Sequence, residues 1–130
     1  MAKIAVDVAL LPIERIMDRA IEANRQLLKQ CPDKIVLNKE NCLPHISLAM
    51  GCIDETDIAE IAEILRSIGS SHSPGQLYRN GIQPGLNAGN EKVSLLELKK
   101  TKQLQSFHET VMRKLSPFFD IHVKSNPILQ

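Results

Sequence analysis

His45 and Ser47 stand two residues apart in the segment Pro44-His45-Ile46-Ser47-Leu48-Ala49-Met50, and no other pair in the chain is better suited to do chemistry. A strand sends successive side chains to opposite faces. The imidazole and the hydroxyl would then share one face, roughly 7 Å apart along the strand. Such a pair can hold one phosphate, the imidazole passing a proton and the hydroxyl hydrogen-bonding a non-bridging oxygen. Histidine suits the task because its ordinary pKa of about 6.5 lets it give and take protons near neutrality. The same alternation predicts that Ile46, Leu48 and Met50 face a core, with His45, Ser47 and Ala49 turned away from it. His-x-Ser is also a short string that a half-exposed strand can carry without any function.

The remaining reactive side chains form no comparable group. His72 lies in a loop next to Ser73, at the wrong spacing. His108-Glu109-Thr110 matches the string but falls in a helix, on the stripe of Leu104, Phe107, Val111 and Leu115. Glu109 and Thr110 are expected to point away from that stripe, which makes His108 a packing histidine. In His122-Val123-Lys124-Ser125 the serine falls on the opposite strand face. The four histidines are too scattered for a metal set. Cys31, Cys42 and Cys52 are odd in number and lack CxxC spacing, which argues against a disulfide framework and a thiolate metal site and for a reducing, cytoplasmic setting. Gly81, Gly85 and Gly89 do not follow a strand and open a helix, so they read as turn residues rather than a nucleotide cradle. Arg79 beside Tyr78 is a candidate phosphate or base contact, or simply a solvated strand residue.

Elements that could position the pair follow from periodicity and punctuation. Ile4 to Leu11 reads as a strand stopped by Pro12. Ile13, Ile16, Met17, Ala20, Leu27 and Leu28 then recur at helical spacing. Asn24 falls on that stripe, and a buried Asn needs partners, so it is expected to tie the helix to a neighbouring backbone. Ile35 to Leu37 reads as a short strand. Asp54 can cap a helix whose face is Ile58, Ile61, Ala62, Leu65 and Ile68, closed by Gly69. Leu77 to Ile82 and Val93 to Leu98 read as strands about a glycine-rich turn, Pro84 to Asn90. Thr101 caps a last helix, and Phe118 to Val123 reads as a final strand. The expected order is β-α-β-β-α-β-β-α-β, one α+β (α/β-type) domain over residues 1–130, with a sheet carrying helices on one face.

The whole chain resembles the 2H phosphoesterase superfamily, the 2′-5′ RNA ligase and cyclic phosphodiesterase-like proteins. The resemblance lies in Ala5-Val6-Asp7-Val8-Ala9-Leu10-Leu11-Pro12, in the amphipathic helix after it, and in Pro44-His45-Ile46-Ser47-Leu48, with a similar strand-helix unit from Val93 to Leu115. It implies a mostly antiparallel, pseudo-two-fold, two-lobed fold. It also implies metal-independent and cofactor-free acid–base chemistry on 2′,3′-cyclic or 2′-5′ phosphodiester ends of RNA or nucleotides. His45 would be the acid or base and Ser47 the phosphate ligand. Family members carry two His-x-Thr/Ser motifs, and the second is absent here. Counted from the last helix by the spacing that leads to His45, it falls beyond Gln130. The expectation is a domain lacking its C-terminal strands, either a piece of a longer enzyme or a natural half-molecule, and impaired as it stands.

Composition narrows the partners. Sixteen basic against fifteen acidic residues in a chain of 130 give a formal charge of +1, which excludes nucleic-acid binding by bulk charge. With no Trp, one Tyr and three Phe, a base-stacking platform is not available. No apolar run approaches the roughly 20 residues that span a bilayer, and Asp7 interrupts the apolar N-terminus of any signal peptide. The competing reading is a non-catalytic binding domain that keeps the fold. An incomplete sheet would favour it, because unpaired edge backbone invites a partner strand or a homodimer.

Overall fold

Alternation organises the first strand. In β1 (Lys3–Leu10), Ile4, Val6, Val8 and Leu10 turn toward the core while Lys3, Ala5 and Asp7 face water. The computed structural model, which describes residues 2–86, 92–120 and 124–125, pairs β1 antiparallel with β2 (Ile46–Asp54), from Lys3 opposite Asp54 to Leu10 opposite Ile46. The short β5 (Lys124–Ser125) joins the other side of β2, so β2 is the central strand and β1 an edge.

Two helices cover one face of this sheet. Asp54 ends β2, and its carboxylate accepts from the Thr56 N–H at 2.9 Å and the Thr56 hydroxyl at 2.8 Å. Those bonds favour the ionised form and hold the Asp54 carboxyl below its ordinary range. The short 3₁₀ turn that Asp54 starts runs into α2 (Ile58–Ser71). Thr101 caps α3 (Lys102–Leu115) by accepting from the Leu104 N–H at 3.1 Å. Ile61 and Ile68 from α2, and Leu104, Phe107, Val111 and Leu115 from α3, close over Leu48 and Ile53 of β2. β3 (Arg79–Leu86) and β4 (Lys92–Leu98) form a separate antiparallel hairpin sheet. Ile82, Leu86, Leu95 and Leu96 of that hairpin stay exposed, Ile82 by 71%. The fold is α+β, with three α-helices and two small antiparallel sheets among the described residues, and no helix among them is long and apolar enough to cross a membrane.

Several sequence expectations need correction. Residues 35–37 are not a strand. The Asn24 amide donates to the Ile35 carbonyl at 2.8 Å and accepts from the Leu37 N–H at 2.9 Å, taking up backbone groups that a neighbouring strand would use. Asn24 thus ties α1 (Glu14–Gln30) to the backbone as expected, but only Met17 of the α1 stripe is buried. Ile13, Ile16 and Leu27 are exposed. Gly69 does not end α2, which continues to Ser71. Pro84 to Leu86 belong to β3 rather than to a turn, while residues 87–91 lie outside the described residues. The final strand does not start at Phe118. Ser116–Phe118 form a 3₁₀ turn, and Asp120 donates its N–H to the Cys52 carbonyl at 3.1 Å. One continuous sheet is replaced by two, and among the described residues β3 and β4 contribute nothing to the core cluster.

Candidate functional site

A β-bulge sets the faces of β2. Val8 stands opposite Ala49 and Ala9 opposite Ser47, which leaves Leu48 as an extra residue on β2. One extra residue moves everything beyond it to the other face. Leu48 and Ala49 therefore both turn inward, 2% and 0% exposed, while Met50 is 45% exposed. This reverses the expectation for Ala49 and Met50: Ala49 is a core residue, and Met50 stands opposite Asp7 on the open face. His45 and Ser47 lie on the N-terminal side of the bulge and keep their place on that face.

Asp7 completes the group. The Ser47 hydroxyl donates to Asp7 Oδ2 at 2.8 Å, and His45 Nε2 lies 3.2 Å from the same oxygen. Asp7 interrupts the apolar run of β1, and period-two alternation places it on the polar face with Lys3 and Ala5. That was the signal by which the sequence could have flagged it. Joining it to His45 and Ser47 requires the register of β1 against β2. On its other side, the His45 ring is fixed by Nδ1, 2.6 Å from the Leu43 carbonyl. A carbonyl can only accept, so Nδ1 carries the proton of that bond, and Nε2 is the nitrogen that exchanges protons with Asp7 or a ligand. The buried Pro44 anchors this approach to the strand.

The other histidines do not join this cluster. His108 is 4% exposed, and its Nε2 donates to the Leu48 carbonyl at 3.0 Å, from the core side of the bulge. Its Nδ1 is buried without a hydrogen-bond partner, and desolvation pushes the imidazole below its ordinary pKa. His108 is the packing histidine expected. Thr110, expected to point away, is buried, and its hydroxyl is satisfied by donating back to the Ser106 carbonyl at 2.9 Å. His72 caps the end of α2, with Nδ1 2.9 Å from the Ser71 hydroxyl. His122 lies outside the described residues. Arg79 opens β3, opposite Leu98, in the separate hairpin. Cys31 and Cys42 are half-buried and Cys52 exposed, all as free thiols. Among the described residues no three His, Cys, Asp or Glu side chains are grouped to hold a metal ion.

Comparison with protein-family models, with curated proteins and with solved structures brings no match.

Proposed function

We propose that this chain is a 2H-type phosphoesterase domain that takes 2′,3′-cyclic or 2′-5′ phosphodiesters of RNA or nucleotides, with His45 as acid or base and Ser47 as phosphate ligand. One observation carries the reading. His45 Nε2 and the Ser47 hydroxyl both reach a single anionic oxygen, Asp7 Oδ2, at 3.2 and 2.8 Å. A phosphoryl oxygen placed there would receive the Ser47 O–H and, from the protonated imidazole, the His45 Nε2–H. In hydrolysis of a cyclic diester, water bonds to phosphorus and gives up one proton to solvent, one ring P–O bond breaks, the departing ribose oxygen takes a proton from the protonated His45 Nε2, and solvent then returns a proton to the imidazole. The reading includes the two-lobed, pseudo-symmetric 2H architecture.

His45 is the one histidine in this cluster among the described residues, so a single group assists proton transfer. General acid–base help is worth about 10²–10⁴-fold per group. The test is turnover of a nucleoside 2′,3′-cyclic monophosphate by the chain and by His45→Ala. Slow hydrolysis that His45→Ala abolishes supports the reading, and a variant as fast as the parent overturns it.

A second reading, a non-catalytic interaction domain, has its own observation in the β3–β4 hairpin. Ile82 and Leu96 stand opposite each other in register and both are exposed, with Leu86 further along β3. Apolar surface gathered on one small sheet marks an interaction site more often than scattered exposed residues do. A homodimer through such a sheet would be seen by sedimentation and lost on Ile82→Lys.

A further inference from the structure

The cluster contains an acid where the proposed ligand is an anion. His45 Nε2 and the Ser47 hydroxyl both reach one oxygen of Asp7. Asp7 is held on strand β1 by the full ladder with β2, and its side chain has a single methylene. An entering phosphoryl oxygen must therefore share His45 and Ser47 with the carboxylate and sit within a few ångströms of it. Each additional negative charge on the ligand raises the electrostatic penalty. Among the described residues His45 is the one ion-pair partner Asp7 has. Lys3 and Asp54 lie at the other end of the two strands, Lys3 paired with Asp120 at 3.2 Å, and Lys124 holds the register position beside Met50 on β5.

We propose that Asp7 selects the charge of the anion this site accepts, admitting monoanionic phosphodiesters and turning away dianionic phosphomonoesters. The proposal rests on the phosphodiester reading of His45 and Ser47 and narrows its substrate class. It also lessens product inhibition. Opening a cyclic diester produces a monoester that gains a second charge above a pKa of about 6, so the product is less welcome than the substrate.

The experiment titrates a nucleoside 2′-monophosphate and its methyl diester against the chain and against Asp7→Asn, following amide chemical shifts. The two ligands share a nucleoside and differ by a methyl group and one charge. The parent should prefer the diester at about pH 7.5, and this preference should shrink toward about pH 5.5 as the monoester takes up one proton and loses its second charge. Taking the ratio of the two affinities removes most of the titration of the protein itself. Asp7→Asn should reduce the preference by about fivefold or more, the smallest effect that Coulomb's law gives one unit charge at 4 Å in water. An unchanged ratio in Asp7→Asn, with both ligands lost in His45→Ala, overturns the role of Asp7 and leaves the phosphodiester reading standing. If neither ligand binds the parent, both fall. Should Asp7→Asn fail to fold, the parent alone decides: a preference that stays constant with pH overturns the proposal.

Discussion

His108 and His45 lie on opposite faces of the same sheet, His108 bonded to the Leu48 carbonyl of β2 and His45 standing just before β2 beside Asp7, and they have opposite chemistry. His108 is sealed under α3 with one nitrogen on the Leu48 carbonyl and the other without a partner. His45 is partly exposed, and both its nitrogens face oxygen atoms, Leu43 O and Asp7 Oδ2. Burial makes the first a structural donor that resists protonation. Polar partners and access to water make the second a group that can trade protons. The residue type is the same, and the face of the bulged strand decides its role.

The largest expected effect tests the bulge that separates the two faces. Leu48→Ala empties a fully enclosed site against α2 and α3 and should cost about 2–5 kcal/mol. Met50→Ala removes a side chain that stands in water and should change stability by no more than about 0.5 kcal/mol. Denaturant melts of the two variants compare them directly. Simple alternation makes both residues core, so equal large losses would remove the bulge and, with it, the contrast between the faces.

His108 gives the next effect. Its folded pKa lies below the ordinary 6.5, because desolvation penalises the charged ring. Below that ordinary value the unfolded chain binds the proton more readily than the folded one. The contribution of His108 is therefore complete above about pH 6.5 and is lost as the pH falls toward its depressed folded pKa. Thermal melts should shift downward across that window. His108→Gln, which keeps an amide donor in reach of the Leu48 carbonyl, should flatten the His108 share of this dependence. His108→Ala leaves that carbonyl buried and unpaired and should cost about 1–3 kcal/mol at neutral pH. A pH profile identical in His108→Gln and the parent would show that His108 does not titrate with folding.

Much of this contrast could be read from the chain, and its missing parts have a common cause. The apolar spacing in Leu104, Phe107, Val111 and Leu115 announced the buried face of α3 and placed His108 on it, since a helix face follows from local periodicity alone. The strand-face placement of His45 and Ser47 followed in the same way. Asp7 as their partner, Met50 in water and Ala49 in the core did not, because each depends on which residue of β1 meets which residue of β2. A bulge is a property of two strands in register, and 35 residues of α1 and loop separate their facing ends, Leu10 and Ile46. The Ile35 to Leu37 segment misled for a related reason. Its composition is that of a strand, but a side chain from α1 supplies its hydrogen bonds. In the β3–β4 hairpin the local signals gave the strands, yet apolar composition did not bring burial there, because nothing among the described residues packs over Ile82 and Leu96.

The smallest effect belongs to Ser47→Ala, and it measures how strongly Asp7 competes at the open face. A hydroxyl that gained a charge-assisted bond on meeting phosphate would be worth about 1.5–3 kcal/mol of affinity. Ser47 already donates to a carboxylate at 2.8 Å, so ligand binding exchanges one anionic acceptor for another. The loss of anion affinity in Ser47→Ala should then fall to about 0.5–1.5 kcal/mol, the value of an ordinary exchanged hydrogen bond. Stability should move by no more than about 0.5 kcal/mol, since water can replace the hydroxyl beside the exposed Asp7. Repeating the substitution in the Asp7→Asn background separates the two contributions, because the hydroxyl then gives up a neutral acceptor and gains a charged one. Its removal should cost more affinity there than in the parent. An equal cost in both backgrounds would mean that the carboxylate does not contest the hydroxyl when the anion is bound.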